Sequence, residues 1–298
     1  MTPDLISRFD VRGKIAVVTG GGGILPSIMG AALAERGSRV AFVDIDGAKA
    51  RAAAEAVGSS GGETVSFACD VLDEDGLTRA YKELCETWGS PDILVNGAGG
   101  NAPGGTTRLE FLERRVGPET PGGDFFSLDL EAARSTFDLN FFGTFLPTRV
   151  FSRGMVDKGG GAVLNIASMG ALTPLTQVGM YSAAKAAVAN FTAWLAVHFA
   201  RTGVRVNALA PGFLMTEQLR FLHVDQATGQ PTPRAKKVIA HTPLGRYGNP
   251  DELLGGMLYL VSEASSFVTG IVLPIDGCIN AQTSFTAAAG STRDIAVR

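Results

Sequence analysis

A tyrosine and a lysine stand four residues apart in Tyr181-Ser-Ala-Ala-Lys185, a spacing that puts both side chains on one face of a helix. A free phenol titrates at about 10 and is a poor base near neutrality. An ammonium beside it stabilises the phenolate, so the pair suits proton transfer to or from an alcohol oxygen. Ser168, in Asn165-Ile-Ala-Ser-Met-Gly170 upstream, could hydrogen-bond the same oxygen. Ser182-x-x-Lys185 also spells the nucleophile pattern of penicillin-binding hydrolases, but neither SDN nor KTG occurs in the chain, which speaks against that chemistry.

A second set of residues suits a nucleotide. Thr19-Gly20-Gly21-Gly22-Gly23 follows an apolar run and precedes a helical one. Gly20, Gly22, Gly23 and Ile24 would bring backbone N–H groups to a pyrophosphate at the positive end of that helix. The turn fails GxGxxG in either register, because Leu25 or Pro26 falls where the third glycine belongs. Asp44, at the end of the next apolar run, suits a ribose 2′-OH and repels a 2′-phosphate, which favours NAD over NADP. Asp70-Val71 could face the adenine, and the backbone of Asn96-Gly97-Ala98-Gly99 could approach the nucleoside. The plain alternative for each is an ordinary strand-to-helix turn with a capping aspartate.

Alternating strands and helices are needed to carry these residues. Lys14–Thr19, Arg39–Asp44, Thr64–Ala68, Ile93–Asn96, Gly161–Ile166, Arg205–Ala210 and Ile271–Leu273 read as strands. Helices are expected from Gly23 to about Arg36, over Gly47–Val57, near Asp73–Thr87, and over 131–157, 179–202 and 250–263. Apolar runs with glycine-marked ends are what parallel strands covered on both faces look like. The order implies an α/β fold, a doubly wound parallel sheet of Rossmann type with helices on both faces. Two stretches break the rhythm: a Gly/Pro-rich insertion at 100–129 and an excursion at 211–249, read as a lid over the substrate site. The expectation is one domain over 1–282 and a patternless tail at 283–298.

The 298 residues carry 26 Lys+Arg against 29 Asp+Glu, a net charge of −3. That balance disfavours nucleic-acid binding, which needs a basic face. Cys69, Cys85 and Cys278 form no CxxC pair, and their odd number points to a reducing, cytoplasmic setting rather than a disulfide framework. His198, His223 and His241 make no metal motif. No apolar run reaches 18 residues, so no membrane span is expected.

These motifs in this order resemble the short-chain dehydrogenase/reductase family over about residues 10–280. Asn140 in Leu-Asn-Phe-Phe-Gly143, Ser168, Tyr181 and Lys185 match the family's four catalytic residues. The resemblance makes Ser168 the polariser of the oxygen and Tyr181 the acid/base. Lys185 would lower the tyrosine pKa and hold the ribose hydroxyls, and Asn140 would anchor a relay water. Pro211, Gly212 and Thr216 match the segment that contacts the nicotinamide. It further implies strand order 3-2-1-4-5-6-7 and a homotetramer, and Asp44 makes NAD the expected cofactor. Where the family's turn reads Thr-Gly-x3-Gly-x-Gly, Ile24 and Pro26 replace the last two glycines. Proline is tolerated at a helix's first position, so an altered phosphate path is expected.

Further stretches are similar to the D-mannonate oxidoreductase (D-fructuronate reductase) branch. They are Asn-Gly-Ala-Gly-Gly-Asn101 with Thr106-Thr107, Phe-Asp-Leu-Asn-Phe-Phe-Gly-Thr144, Phe191-Thr-Ala-Trp-Leu-Ala-Val-His198, His241-Thr-Pro-Leu-Gly-Arg-Tyr-Gly248 and Ala264-Ser-Ser-Phe-Val-Thr-Gly270. The branch implies a sugar-acid substrate, with Asn101, Gln218 and Arg220 as expected contacts. Segment 212–249 carries Arg220, Arg234, Lys236, Lys237 and Arg246 against Glu217 and Asp225, a basic lid that would favour a carboxylate. A solvated charged face fits the same residues. Another polyol, sugar or hydroxy acid is the alternative substrate, and a non-catalytic nucleotide-binding regulator the alternative class. The helix around 186–199 is apolar almost all round, which points to burial against a second subunit. Pro147 is expected to kink the helix before it, and His198 to be structural.

Overall fold

The computed structural model describes residues 4–112, 123–216, 220, 223–225 and 228–281. Gln218 and the tail 283–298 lie outside them.

Seven strands form one parallel sheet in the order β3-β2-β1-β4-β5-β6-β7. They are β1 (Ile15–Thr19), β2 (Arg39–Asp44), β3 (Thr64–Ala68), β4 (Ile93–Asn96), β5 (Gly161–Ile166), β6 (Val204–Pro211) and β7 (Val272–Ile275). Chain reversal beside β1 brings the ends of β1 and β4 together, with Thr19 paired to Asn96. That is the switch point where doubly wound sheets hold ligands.

Alternate strand residues feed two cores, one on each face of the sheet. Val18, Phe42, Val95, Leu164 and Leu209 pack against Met29 and Leu33 of α1 (Ile24–Glu35) and Met257 and Leu260 of α8 (Leu254–Val261). On the other face Val17, Ala41, Leu94, Val163 and Val206 meet three helices: α3 (Glu74–Thr87) through Leu77 and Leu84, α5 (Gly143–Asp157) through Phe151 and Met155, and α6 (Gly179–His198) through Leu195. Between α1 and α3, α2 (Gly47–Gly58) starts on Asp46, whose carboxylate accepts from the N–H groups of Ala48 and Lys49. Asp46, not Asp44, is therefore the capping aspartate of that turn.

Three helices differ from the sequence pattern. The expected helix 131–157 divides into α4 (Leu130–Phe137), a π-helical turn (Asp138–Phe142) and α5. The π-turn holds Asn140, and Pro147 stands inside α5. π-turns of this kind mark functional positions, because they re-aim a side chain that a regular helix would bury elsewhere. The last expected helix begins and ends in 3-10 turns (Pro250–Leu253 and Glu263–Ser265) around α8. Helix α6 stops at His198, where Phe199 caps it.

The two excursions have structure of their own. In 211–249, α7 (Pro233–His241) starts on a Thr232 cap, and Ala235, Val238 and Tyr247 form a small core with Phe213, Met215 and Ile239. Tyr247 Oη and His223 Nδ1 lie 2.9 Å apart, both buried. Among the described residues no helix is long and apolar enough to cross a membrane, and no group of three His, Cys, Asp or Glu side chains could hold a metal ion.

Candidate active site

At the end of β1, Gly20 turns left-handed, with φ +65°, and a Cβ there would lie 2.8 Å from Ala98 Cα. Only glycine fits both demands. The turn then consumes several of its own N–H groups: Gly21 N donates to Val43 O, Gly22 N to Asp44 Oδ2 and Gly23 N to Gly20 O. Gly22 and Gly23 therefore shape the turn more than they offer donors. The anion-binding capacity passes to the first-turn amides of Ile24 and Leu25, since no side chain caps α1.

Pro26 is the third residue of α1, not its first. An N–H at that position has no intrahelical acceptor, so proline costs no helical bond there. Its ring packs on the end of β4: a Cβ at Gly97 would come 2.6 Å from Pro26 Cγ. Gly97 thus accommodates the proline. Thr19 Oγ1, which sequence reasoning missed, accepts from Gly97 N at 3.1 Å and locks β1 to the loop after β4.

Asp44 is held from both sides, Oδ2 by Gly22 N at 3.0 Å and Oδ1 by Asp46 N at 2.9 Å. Its carboxylate is fixed at the carboxyl end of β2. Lys49 is engaged with Asp46 at 3.4 Å. Asp70 Oδ1 accepts from Leu72 N, and buried Val71 packs against Gly143.

The side chain of Asn96 is turned to a different task from its backbone. Its side chain is buried, and Nδ2 donates to Thr148 Oγ1 and Asn165 Oδ1, both at 2.8 Å; Asn165 Nδ2 in turn donates to Thr192 Oγ1. This network ties β4 and β5 to α5 and α6 beneath the cleft. Asn96 can face a nucleoside only through its backbone. The network has no linear signature, because its members come from four separate elements.

Asn140 is fully buried at the π-turn. Nδ2 donates to Gly100 O and Thr136 O, each at 2.7 Å, and Oδ1 accepts from Gly100 N at 3.2 Å. Both amide hydrogens are spent, which leaves one lone pair of Oδ1 for a water. Pinning the loop after β4 is the contribution visible here. Gly99 in that loop is required by close approach, since a Cβ would lie 2.7 Å from Asn140 Oδ1 and 3.2 Å from Lys185 Nζ.

Ser168 follows β5, and its Oγ accepts from Gly170 N at 3.1 Å. Lys185 is 3% exposed, its Nζ donating to Ile166 O at 2.7 Å and lying 5.7 Å from the centre of the Tyr181 ring. That separation is within cation–π range. Burial lowers Lys185 to about 8. Burial also raises Tyr181, against the pull of its hydrogen bond from Ser168. The net direction at the tyrosine is thus opposite to the lowering expected from Lys185, because burial penalises the phenolate as it penalises the ammonium. Tyr181 stands protonated beside a serine hydroxyl, the state required of a proton donor. Ser182, the rival nucleophile, has its Oγ accepting from Leu175 N at 3.4 Å.

Asn140, Ser168, Tyr181 and Lys185 are therefore brought to one place, at the carboxyl ends of β4 and β5. At the end of β6, Pro211 and Gly212 lie against the turn after β7, where a Cβ on Gly212 would meet Asp276 Cα at 2.5 Å. Thr216 is nearly buried, and Asn101 and Arg220 are at the surface. The basic lid is partly neutralised: Lys237 pairs with Glu110 of the insertion, and Arg246 pairs twice with Glu252 at 2.7 Å.

The doubly wound sheet thus gathers Ser168, Tyr181 and Lys185 beside a glycine-rich turn, and the comparisons with known proteins define the class. A family model described as enoyl-(acyl carrier protein) reductase matches residues 28–280. The chain belongs to the short-chain dehydrogenase/reductase family and is an NAD(P)-dependent oxidoreductase. It is 43% identical over 269 residues to the uncharacterized oxidoreductase UxuB of Bacillus subtilis (strain 168), covering 90% of this chain and 95% of the relative. A provisionally named D-mannonate oxidoreductase from Haemophilus influenza, solved with NAD bound, superposes with a TM-score of 0.87 at 41% identity, over 92% of this chain and 97% of that one. A gluconate 5-dehydrogenase from Burkholderia cenocepacia J2315, solved with NADP and tartrate, superposes at 0.79 with 28% identity, over 93% and 99% of the two chains.

Proposed function

We propose that the protein interconverts a secondary alcohol and a ketone of a sugar acid with NAD(H), the reaction being D-mannonate/D-fructuronate exchange. The observation that carries the substrate reading is the full-length likeness to the Haemophilus structure bearing that provisional name. The motifs outside the shared catalytic set lead to the same branch. The fixed Asp44 carboxylate supports NAD: its free lone pairs suit ribose hydroxyls, its charge repels a 2′-phosphate, and Lys49 beside it is already paired.

In reduction, the nicotinamide supplies hydride to the carbonyl carbon. Ser168 donates a hydrogen bond to the oxygen, and Tyr181 gives its proton as negative charge develops there. Lys185, held by the Ile166 carbonyl, keeps positive charge over the tyrosine ring, which favours the phenolate that remains. In oxidation the same phenolate takes the alcohol proton.

We also propose a homotetramer, with a second copy on the outer face of α5 and α6. There Phe142, Phe145, Phe191, Trp194 and His198 form a continuous row of ring contacts, edge-to-face or tilted as far as Phe191 and stacked from Phe191 to His198, while Trp194 is 56% and Val197 78% exposed. His198 thus stacks at the surface on Trp194 rather than in the core.

The test follows NADH and NADPH oxidation at about neutral pH, where the tyrosine is protonated, with D-fructuronate against neutral ketoses. Rapid turnover of D-fructuronate with NADH is the expected result. Turnover confined to neutral ketoses replaces the substrate, and preference for NADPH overturns the role given to Asp44.

A further inference from the structure

Four residues before Tyr181, Gln177 takes a left-handed backbone, with φ +71°. Only one other described non-glycine residue does so, Cys278. A side chain adopts that conformation rarely and keeps it where surroundings enforce it. Here the enforcing contacts come from the insertion. Gln177 O accepts from Thr107 N at 2.9 Å, and Gln177 Nε2 donates to Arg108 O at 2.6 Å. Because a carbonyl only accepts, the amide nitrogen must be the atom facing Arg108.

The segment 100–110 is anchored step by step. Gly100 is held by Asn140, and Ala102 N donates to Thr136 Oγ1 at 3.0 Å. Thr107 and Arg108 are then held by Gln177, and Glu110 accepts from Lys237 of α7 at 2.6 Å. The segment therefore begins beside Lys185, passes the lead-in to Tyr181 and ends on the lid. Arg108 N and Leu109 N also donate to Gly123 O within the insertion, at 2.7 and 3.3 Å, and Gly104 O accepts from Asp129 N; Gln177 supplies the two hydrogen bonds that tie the segment to the lead-in of the catalytic helix.

We propose that Gln177 is a positioning residue: through Thr107 and Arg108 it holds the segment 101–110 as a wall of the ketone subsite. This rests on the ketone chemistry proposed for Tyr181. Gln177 acts on binding through the wall and has no part in the proton transfer, so its loss separates KM from kcat.

Two variants of the full chain test this. Gln177→Glu keeps the shape and removes the donor, setting two acceptors against each other. Gln177→Gly removes the side chain and accepts the left-handed backbone without strain, so it stays folded. In both, amide hydrogen exchange over 104–110 should accelerate, KM for the ketone should rise about tenfold, and kcat should change by less than about threefold, the scale of one lost hydrogen bond. NADH affinity should not move. Faster exchange with the parental KM, or parental values of both, overturns the role of Gln177. Absence of wild-type turnover on any ketone or secondary alcohol overturns the reading on which the role rests, and the exchange rates then report docking alone.

Discussion

Lys185 and Asn140 are buried, and each carries its hydrogen bonds to backbone atoms of neighbouring elements. Among the described residues the insertion and the lid are tied instead by an exposed ion pair, Lys237–Glu110, and the insertion is tied through Gln177 to the lead-in of the catalytic helix. The cluster of Asn140, Ser168, Tyr181 and Lys185 is thus preorganised by the fold, whereas the segments around it are tied by a few replaceable contacts. Such a division lets one scaffold keep its chemistry while its substrate changes. It also predicts that variants in the two regions fail in different ways.

The largest effect belongs to the cluster. Tyr181→Phe removes the proton donor without changing the ring, so turnover should fall at least about a hundredfold. NADH affinity, read by fluorescence titration, should stay near the parental value. Retained turnover would remove Tyr181 from the mechanism and erase the contrast between the regions.

Lys185 shows what the preorganisation costs. Burial lowers its pKa from 10.5 to about 8, so the native state disfavours the ammonium that the unfolded chain carries. Below pH ~8 this destabilises the fold by roughly 3 kcal/mol, and the penalty fades as pH rises toward the unfolded value. Lys185→Met should therefore be inactive yet more stable than the parent to urea at pH 7. Its advantage should shrink by pH 10. A variant less stable than the parent at pH 7 would show that the Ile166 hydrogen bond and packing outweigh the buried charge.

Much of the cluster was legible because its spacing is local: Tyr181 and Lys185 share a helix face, and Ser168 follows a strand. Four of the seven strands, β2, β3, β4 and β5, match the sequence reading end for end, since glycine-bounded apolar runs leave little freedom. The structural part played by the Asn96 amide was not legible, because its partners Thr148 and Asn165 are distant in sequence. Asn140's π-turn and the left-handed backbone of Gln177 have no composition signature at all. The charge of the lid was only partly legible for a related reason, because charge counting cannot see that Lys237 and Arg246 have carboxylate partners.

Asp44 belongs to the preorganised half, yet the role proposed for it is in cofactor selectivity rather than rate. Asp44→Ser removes the charge from the ribose end and keeps a hydroxyl. NADPH use should rise by about tenfold or more relative to NADH, a change worth one charge repulsion near a solvated surface. The ratio of the two kcat/KM values checks this, and an unchanged ratio would place cofactor choice elsewhere.

The smallest effect is expected at the tie between the excursions. Lys237 and Glu110 are both partly solvent-exposed, and pairs of that kind contribute about 0–1 kcal/mol. Glu110→Gln should raise KM for the ketone by no more than about threefold at low ionic strength. At about 1 M salt, where the screening length falls to roughly 3 Å, parent and variant should converge. Convergence would identify the tie as electrostatic and separate it from the hydrogen bonds of Gln177, whose loss should persist at any salt concentration. A tenfold effect that salt does not remove would mean that Glu110 is buried against substrate during turnover, and the wall would then be built by closure of the lid rather than by the resting fold.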